Sequence, residues 1–127
     1  MLTRKPRRSL WMFGMESEEP TQQQRREYAR QLAERLGTTI EPRAIPRPED
    51  VDLRAPRIKP PDSIADFCLS DNYERALHSH RNFELAARGE FPNPPDIVAH
   101  PRTEQELETV LEWCDSRGYA TIPYGGG

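Results

Sequence analysis

The sequence of 127 residues is poor in cysteine and has no long apolar run. Its two cysteines, Cys68 and Cys114, stand far apart in the chain, which argues against a disulfide scaffold and favours a reducing compartment. No stretch approaches the roughly 18 apolar residues of a membrane-spanning helix. The longest apolar cluster, residues 10–13, is shorter than a signal-peptide core. We therefore expect neither membrane insertion nor secretion, and we predict a cytoplasmic location.

A strong excess of one charge is also missing, because the formal net charge is only -3. The basic side chains of residues 4–8 have no acidic neighbour in the first eight residues. Residues 9–127 therefore carry a more negative net charge than the whole chain does. An acidic body disfavours nucleic-acid binding. We interpret the basic end as a solubilising tail.

Proline is abundant, with 13 residues, and it divides the chain. Residues 38–61 are dense in proline and follow neither the helical nor the strand period, which predicts an extended, solvated strap. Before it, an arm with an apolar patch at 10–15 is expected to dock onto a larger body. We divide the chain into residues 1–61 (arm, first helix and strap), 62–94 (a helical lead-in) and 95–127.

Capping signals predict the first long helix. Thr21 and Gln24 have the spacing of a capping box, and Gly37 supplies the stop. Between them, Tyr28, Leu32 and Leu36 recur every four residues and form a narrow apolar stripe. The sequence therefore predicts a helix that lies on a surface. Shorter helical turns are predicted over 62–89.

Residues 95–127 predict a strand–helix–strand unit. Thr103 and Glu106 form a second capping box, and Gly118 stands just past the end of the helix. The apolar stripe of this helix follows a period of 3.6 residues; its members are Leu107, Val110, Leu111 and Cys114. Residues 97–99 and 119–122 are predicted strands, parallel or nearly neighbouring. The small stripe cannot offset the entropy of ordering this unit, so we expect a longer parent protein.

Three glycines, residues 125–127, follow the second predicted strand. Without a Cβ they leave the main chain open to a ligand, and successive amides in such a loop form a nest for a phosphate or diphosphate. A plain turn or linker is the alternative for a glycine triplet. The order of elements disfavours a nicotinamide-binding site, whose glycines precede the helix rather than follow it.

The stretch PDIVAHPRTEQELETVLEWCDSRGYATIPYGGG, residues 95–127, resembles the start of the FAD-binding domain of the vanillyl-alcohol-oxidase and p-cresol-methylhydroxylase flavoproteins. Upstream, WMFG at 11–14, APR at 55–57 and LHSH at 77–80 resemble bacterial relatives of alkyldihydroxyacetonephosphate synthase. The resemblance covers most of the chain and is strongest from residue 95 onward. It implies an α+β fold, namely a truncated p-cresol-methylhydroxylase-type domain preceded by helices and the proline-rich segment.

The same resemblance implies the cofactor and its site. The FAD diphosphate is expected against a loop formed by Pro123, Tyr124, Gly125, Gly126 and Gly127. It further implies non-covalent FAD and chemistry at the flavin N5 on a hydroxy acid, an alcohol or acyl-dihydroxyacetone phosphate. The family's catalytic residues have no counterpart here, so this chain alone is expected to be inert. FAD and a small-molecule substrate are the expected partners, and a homodimer stays open.

The histidines and cysteines are interpreted as structural residues and not as functional ones. His78 and His80 point to different sides of a helix and cannot share an ion without a third ligand, so no metal site is predicted. Cys68 and Cys114 are taken as small buried hydrophobes. The alternative function is a non-catalytic adaptor that binds a partner through its helices and proline-rich strap.

Overall fold

The computed structural model describes residues 6–79 and 82–125. Within them lie helices α1 (Gln22–Leu36), α2 (Asn72–Leu77), α3 (Phe83–Ala87) and α4 (Glu104–Arg117). Two short strands, β1 (Cys68–Leu69) and β2 (Val98–Ala99), pair antiparallel, and three 3-10 turns interrupt the connections. The described chain is thus a mixed helical body with a two-stranded sheet. The p-cresol-methylhydroxylase-type domain and the division at residues 61 and 94 stay predictions.

The predicted ends of α1 are confirmed. The Thr21 hydroxyl accepts a hydrogen bond from the Gln24 amide, and the Gln24 side chain accepts one from the Thr21 amide, which completes the capping box. Gly37 ends the helix in the left-handed region, with φ 63°. Tyr28 and Leu36 stay exposed, as expected for a surface helix.

Helix α4 also begins and ends where its capping signals lie, but only half of its capping box forms. Thr103 accepts from the Glu106 amide at 3.1 Å, and Gly118 ends the helix with φ 66°. The Glu106 carboxylate instead accepts from the amide of Arg102 at 2.6 Å and also binds the Arg102 guanidinium. A charged partner one residue earlier therefore competes with the Thr103 amide.

The sheet differs from the predicted one. β2 pairs with β1, Cys68 opposite Ala99 and Leu69 opposite Val98, although residues 68–69 were expected in a helical segment. Residues 119–122 form no strand within the described chain, and Ile122 is 86% exposed. A strand needs the edge of a neighbouring strand, to which its backbone N–H and C=O groups can hydrogen-bond. The edge available to β2 is the one beside buried Phe67, whose carbonyl accepts from the His100 amide at 2.8 Å.

Most residues of the strap are exposed, as predicted, but the strap is anchored to the body at one buried residue. Val51 is buried in a cluster with Ala76, Ala86 and Phe91, and the Asn72 side chain donates to the Val51 carbonyl at 2.9 Å. From the arm, Leu10 and Trp11 pack against the same cluster, which agrees with the expected anchoring role of the apolar patch. Arm and strap therefore cover α2 and α3 of their own chain.

A second cluster joins α4 to the turn before β1. It consists of Ile64, Phe67 and Val110, with both cysteines, Ala99 and Trp113 at its margin. Burial raises the pKa of the Cys68 thiol, which suits an inert packing role. Leu107 and Leu111, predicted on the apolar stripe, remain about half exposed because the cluster meets only one side of α4.

Arg75 is the polar centre of the fold. It is almost fully buried, and its Nε donates to the Pro95 carbonyl at 2.8 Å while Nη2 donates to the Arg54 carbonyl at 2.7 Å. One side chain of α2 thus joins the strap to the segment that leads into β2.

Asp96 adds a second set of contacts between the strap and the segment that leads into β2. Its carboxylate accepts from the Arg57 amide at 2.9 Å and from Arg57 Nη2 at 2.7 Å, and it also pairs with the Arg54 guanidinium. These hydrogen bonds, with Arg57 the strongest contributor, hold the pKa of Asp96 well below its usual range. Asp96 therefore braces the segment before β2 against the strap.

Replacing Arg75 by Met should lower the free energy of unfolding by about 2–4 kcal/mol, because two carbonyls lose their donor in a buried place. Urea unfolding followed by the fluorescence of Trp11 and Trp113 measures the change. Arg35→Met, on the exposed face of α1, is the control and should stay within about 0.5 kcal/mol. Equal stability of both variants would contradict the role given to Arg75.

Replacing Asp96 by Asn should remove a pH-dependent part of the stability. Because the pKa of Asp96 is lowered on folding, the ionised carboxylate stabilises the fold above the ordinary pKa of about 3.9 and does so less and less as the pH falls below it. The stability gap between wild type and Asp96→Asn should be widest near neutral pH and shrink under acid. Urea midpoints across the acidic range test this, with exposed Asp52→Asn as control; a constant gap would refute it.

Candidate functional site

The segment that follows α4 is held by two aromatic contacts. Tyr119 meets Trp113 edge-on at 5.4 Å between ring centroids, and Tyr124 meets His78 at 4.6 Å with an interplanar angle of 68°. Between these contacts Ile122 is open to solvent. The path of the chain toward the glycines is therefore set by its two tyrosines.

The structure describes part of the predicted loop. Pro123, Tyr124 and Gly125 are all exposed to solvent, and Tyr124 is the member in contact with a helix end. Gly126 and Gly127, the remaining predicted residues, lie outside the described residues. The prediction that all five bind a diphosphate stays a prediction.

Gly125 differs from the other glycines that the structure describes. Gly14, Gly37, Gly89 and Gly118 all have positive φ, a conformation that favours glycine, whereas Gly125 does not. A Cβ placed on Gly125 meets no heavy atom within 4 Å. Within residues 6–79 and 82–125, neither backbone conformation nor packing therefore requires glycine at this position.

A polar cluster lies behind Tyr124. His78 Nδ1 lies 2.8 Å from the backbone carbonyl oxygen of Glu74 and 3.5 Å from its carboxylate. Since a carbonyl only accepts, Nδ1 carries the proton in this contact. His100 Nε2 lies 3.1 Å from the same carboxylate, and the two imidazole rings are 5.7 Å apart.

Sequence reasoning missed this cluster. It weighed His78 only as a metal ligand. The four-residue spacing of Glu74 and His78 does indicate a contact on one helix face. Nothing local indicated that His100 and Tyr124, distant in the chain, would join them.

The cluster does not have the form of a metal centre. His78 uses Nδ1 in a hydrogen bond to a carbonyl, and no group of three His, Cys, Asp or Glu side chains suited to a metal ion occurs in the described part of the chain. His80, the other histidine weighed for a metal, lies outside that part.

A separate groove of about 800 Å³ runs between α1, the strap and α3. Its walls are largely apolar and include Tyr28, Ala29, Ile40 and Ile45. Arg25 lies at its edge and donates to the Arg43 carbonyl, while its buried Nε has no acceptor among the described residues. This groove is far from the glycines in sequence and is lined by the elements expected to serve an adaptor.

Comparison with known proteins gives two partial matches. The chain is 32% identical over 65 residues to the mitochondrial D-lactate dehydrogenase [cytochrome] of Arabidopsis thaliana, which covers 50% of this chain and 11% of that protein. It is 36% identical over 52 residues to the alkyldihydroxyacetonephosphate synthase of Caenorhabditis elegans, covering 39% of this chain and 9% of that one. No family model and no solved structure matches the chain.

Both relatives are members of the FAD-linked oxidase family, so the chain has partial homology to enzymes of that family. It spans about a tenth of the length of each. The resemblance to FAD-linked enzymes is confirmed at this general level, whereas closeness to the bacterial synthase-like proteins stays a prediction. In the described residues, no helix has both the length and the apolar character needed to cross a membrane.

Gly118, which has a positive φ, and Gly125, which does not, should respond differently to substitution. Gly118→Ala should destabilise the fold by about 1–2 kcal/mol, because the added Cβ is strained at positive φ. Gly125→Ala should leave stability within about 0.5 kcal/mol, because its Cβ meets open space. Urea unfolding of the two variants against wild type makes the comparison. A marked loss of stability in Gly125→Ala would contradict the account of that glycine.

Proposed function

We propose that this chain contributes the first part of an FAD-binding site in an FAD-dependent oxidoreductase or alkyldihydroxyacetonephosphate synthase-like enzyme. The loop formed by residues 123–127 would lie against the FAD diphosphate. The observation that carries the proposal is Gly125, because close approach of a ligand accounts for a glycine that neither its φ nor its packing requires.

The chemistry of the loop suits a diphosphate. A glycine-rich turn presents successive amide N–H groups to one anion, and the missing side chains let the phosphate oxygens come close to the main chain. The contact of Tyr124 with His78 at the end of α2 supports an ordered approach of the chain to this loop. The chain's own part is therefore to bind and orient the cofactor.

The finer assignments follow from the resemblance and from the names of the two relatives. We propose non-covalent FAD, which supplies redox chemistry at the flavin N5 when bound. Substrates of the complete enzyme would be a hydroxy acid, an alcohol or acyl-dihydroxyacetone phosphate, in keeping with a lactate dehydrogenase and an alkyldihydroxyacetonephosphate synthase as relatives. A p-cresol-methylhydroxylase-type domain closest to the bacterial synthase-like proteins, a cytoplasmic location and inertness of this chain alone belong to the same proposal.

The groove beside α1 favours a second candidate, the non-catalytic adaptor. Its exposed tyrosine and nearby arginines match the residue types enriched at protein interfaces. The two candidates differ in their dependence on FAD: an adaptor would show no flavin absorption and no response to changes at Gly125.

The test is carried out on the complete gene product that contains these residues. Purified wild-type protein should show the visible absorption of bound flavin. Gly125→Val should weaken FAD binding about tenfold or more, equivalent to about 1.4 kcal/mol, because the side chain occupies the space of the diphosphate. Ala44→Val, which adds the same kind of bulk on the exposed strap, is the control. Colourless protein that ignores added FAD, or normal binding by Gly125→Val, would refute the proposal.

A further inference from the structure

The contact between Tyr124 and His78 joins the end of the described chain to α2. The ring centroids are 4.6 Å apart at 68°, within the range of favourable edge-to-face pairs. Tyr124 is 38% exposed, whereas Ile122, two residues earlier, is 86% exposed. The segment is thus drawn toward the body of the fold at Tyr124, immediately before Gly125.

His78 is itself fixed in place. It stands at the C-terminal end of α2, with its side chain 14% exposed, and Nδ1 donates to the Glu74 carbonyl. The Glu74 side chain, 17% exposed, is in turn engaged by His100 from the segment after β2. The imidazole that meets Tyr124 therefore has one supported orientation.

Helix α2 is itself held by contacts with several segments of the fold. Arg75 joins it to the strap and to Pro95, Asn72 donates to the Val51 carbonyl, and Ala76 is buried in the first cluster. A side chain at the end of this helix consequently provides a rigid reference point for a chain segment that makes no strand pairing.

We propose that His78 is a positioning residue for the FAD-binding loop: its ring holds Tyr124 and thereby sets where the amide of Gly125 lies. This inference rests on the proposed function. A loop that is held before the ligand arrives loses less conformational entropy on binding, so the contact raises FAD affinity without touching the cofactor.

The contact is one of ring against ring, and this defines which substitutions restore it. His78→Phe keeps an aromatic ring but loses the hydrogen bond to Glu74, while His78→Gln keeps a polar donor but loses the ring. Tyr124→Phe keeps the ring, and Tyr124→Ala removes it. Tyr124 belongs to neither apolar cluster, so its truncation leaves the folded body intact.

The experiment measures FAD affinity of the complete gene product by flavin fluorescence, after removal of the bound cofactor. His78→Gln and Tyr124→Ala should each raise the FAD dissociation constant about two- to tenfold, the range expected for one aromatic pair. His78→Phe, which keeps the ring but not the hydrogen bond that orients it, should bind FAD more tightly than His78→Gln does, and Tyr124→Phe should bind FAD more tightly than Tyr124→Ala does. The double variant His78→Gln with Tyr124→Ala should be no weaker than the weaker single variant, because both changes remove the same contact.

Tyr28→Ala, an equal truncation of an exposed tyrosine on α1, is the control and should bind FAD normally. Wild-type affinity in His78→Gln and Tyr124→Ala, or fully additive losses in the double variant, would overturn the role of His78 while leaving the proposed function standing. Failure of the wild-type protein to bind FAD would overturn both.

Discussion

The described structure depends on one buried guanidinium. Arg75 cannot lose its charge, and burial removes it from water, so it needs acceptors wherever it lies. Two carbonyls meet that need, those of Arg54 in the strap and Pro95 before β2. Asp96, held by the arginines of the strap, adds a compensating negative charge nearby. Two segments that are distant in sequence, the strap and the segment before β2, are thereby fixed around a helix of only six residues.

The geometry of the candidate site depends on this junction around Arg75. Because α2 is fixed, His78 at its end is fixed, and the ring of Tyr124 has a defined surface on which to pack. The polar groups behind it, Glu74 and His100, link the same helix to the segment after β2. The approach to the glycines thus depends on Tyr124 and on the side chain outside the loop, His78, against which Tyr124 packs.

The partial relationship to FAD-linked oxidases agrees with the one glycine that the described fold does not itself explain. Gly37 and Gly118 end helices in the left-handed region, which favours glycine. Gly125 has neither reason, and the proposed approach of FAD to the main chain would supply one. Of the candidate site, the sequence predicted the loop and its cofactor, whereas the support from Glu74, His78 and His100 emerged only when distant residues were brought together.

Local chemistry was enough to predict both long helices, because a cap or a left-handed glycine acts within four residues of itself. The Thr21 capping box and the stops at Gly37 and Gly118 were predicted on this ground and are confirmed. Burial of Val51, pairing of β2 with residues 68–69 and the acceptors of Arg75 were not predictable. Each of these depends on which segments meet across 20 or more residues of chain. That choice is made by packing and by the satisfaction of buried polar groups, which only the tertiary structure decides.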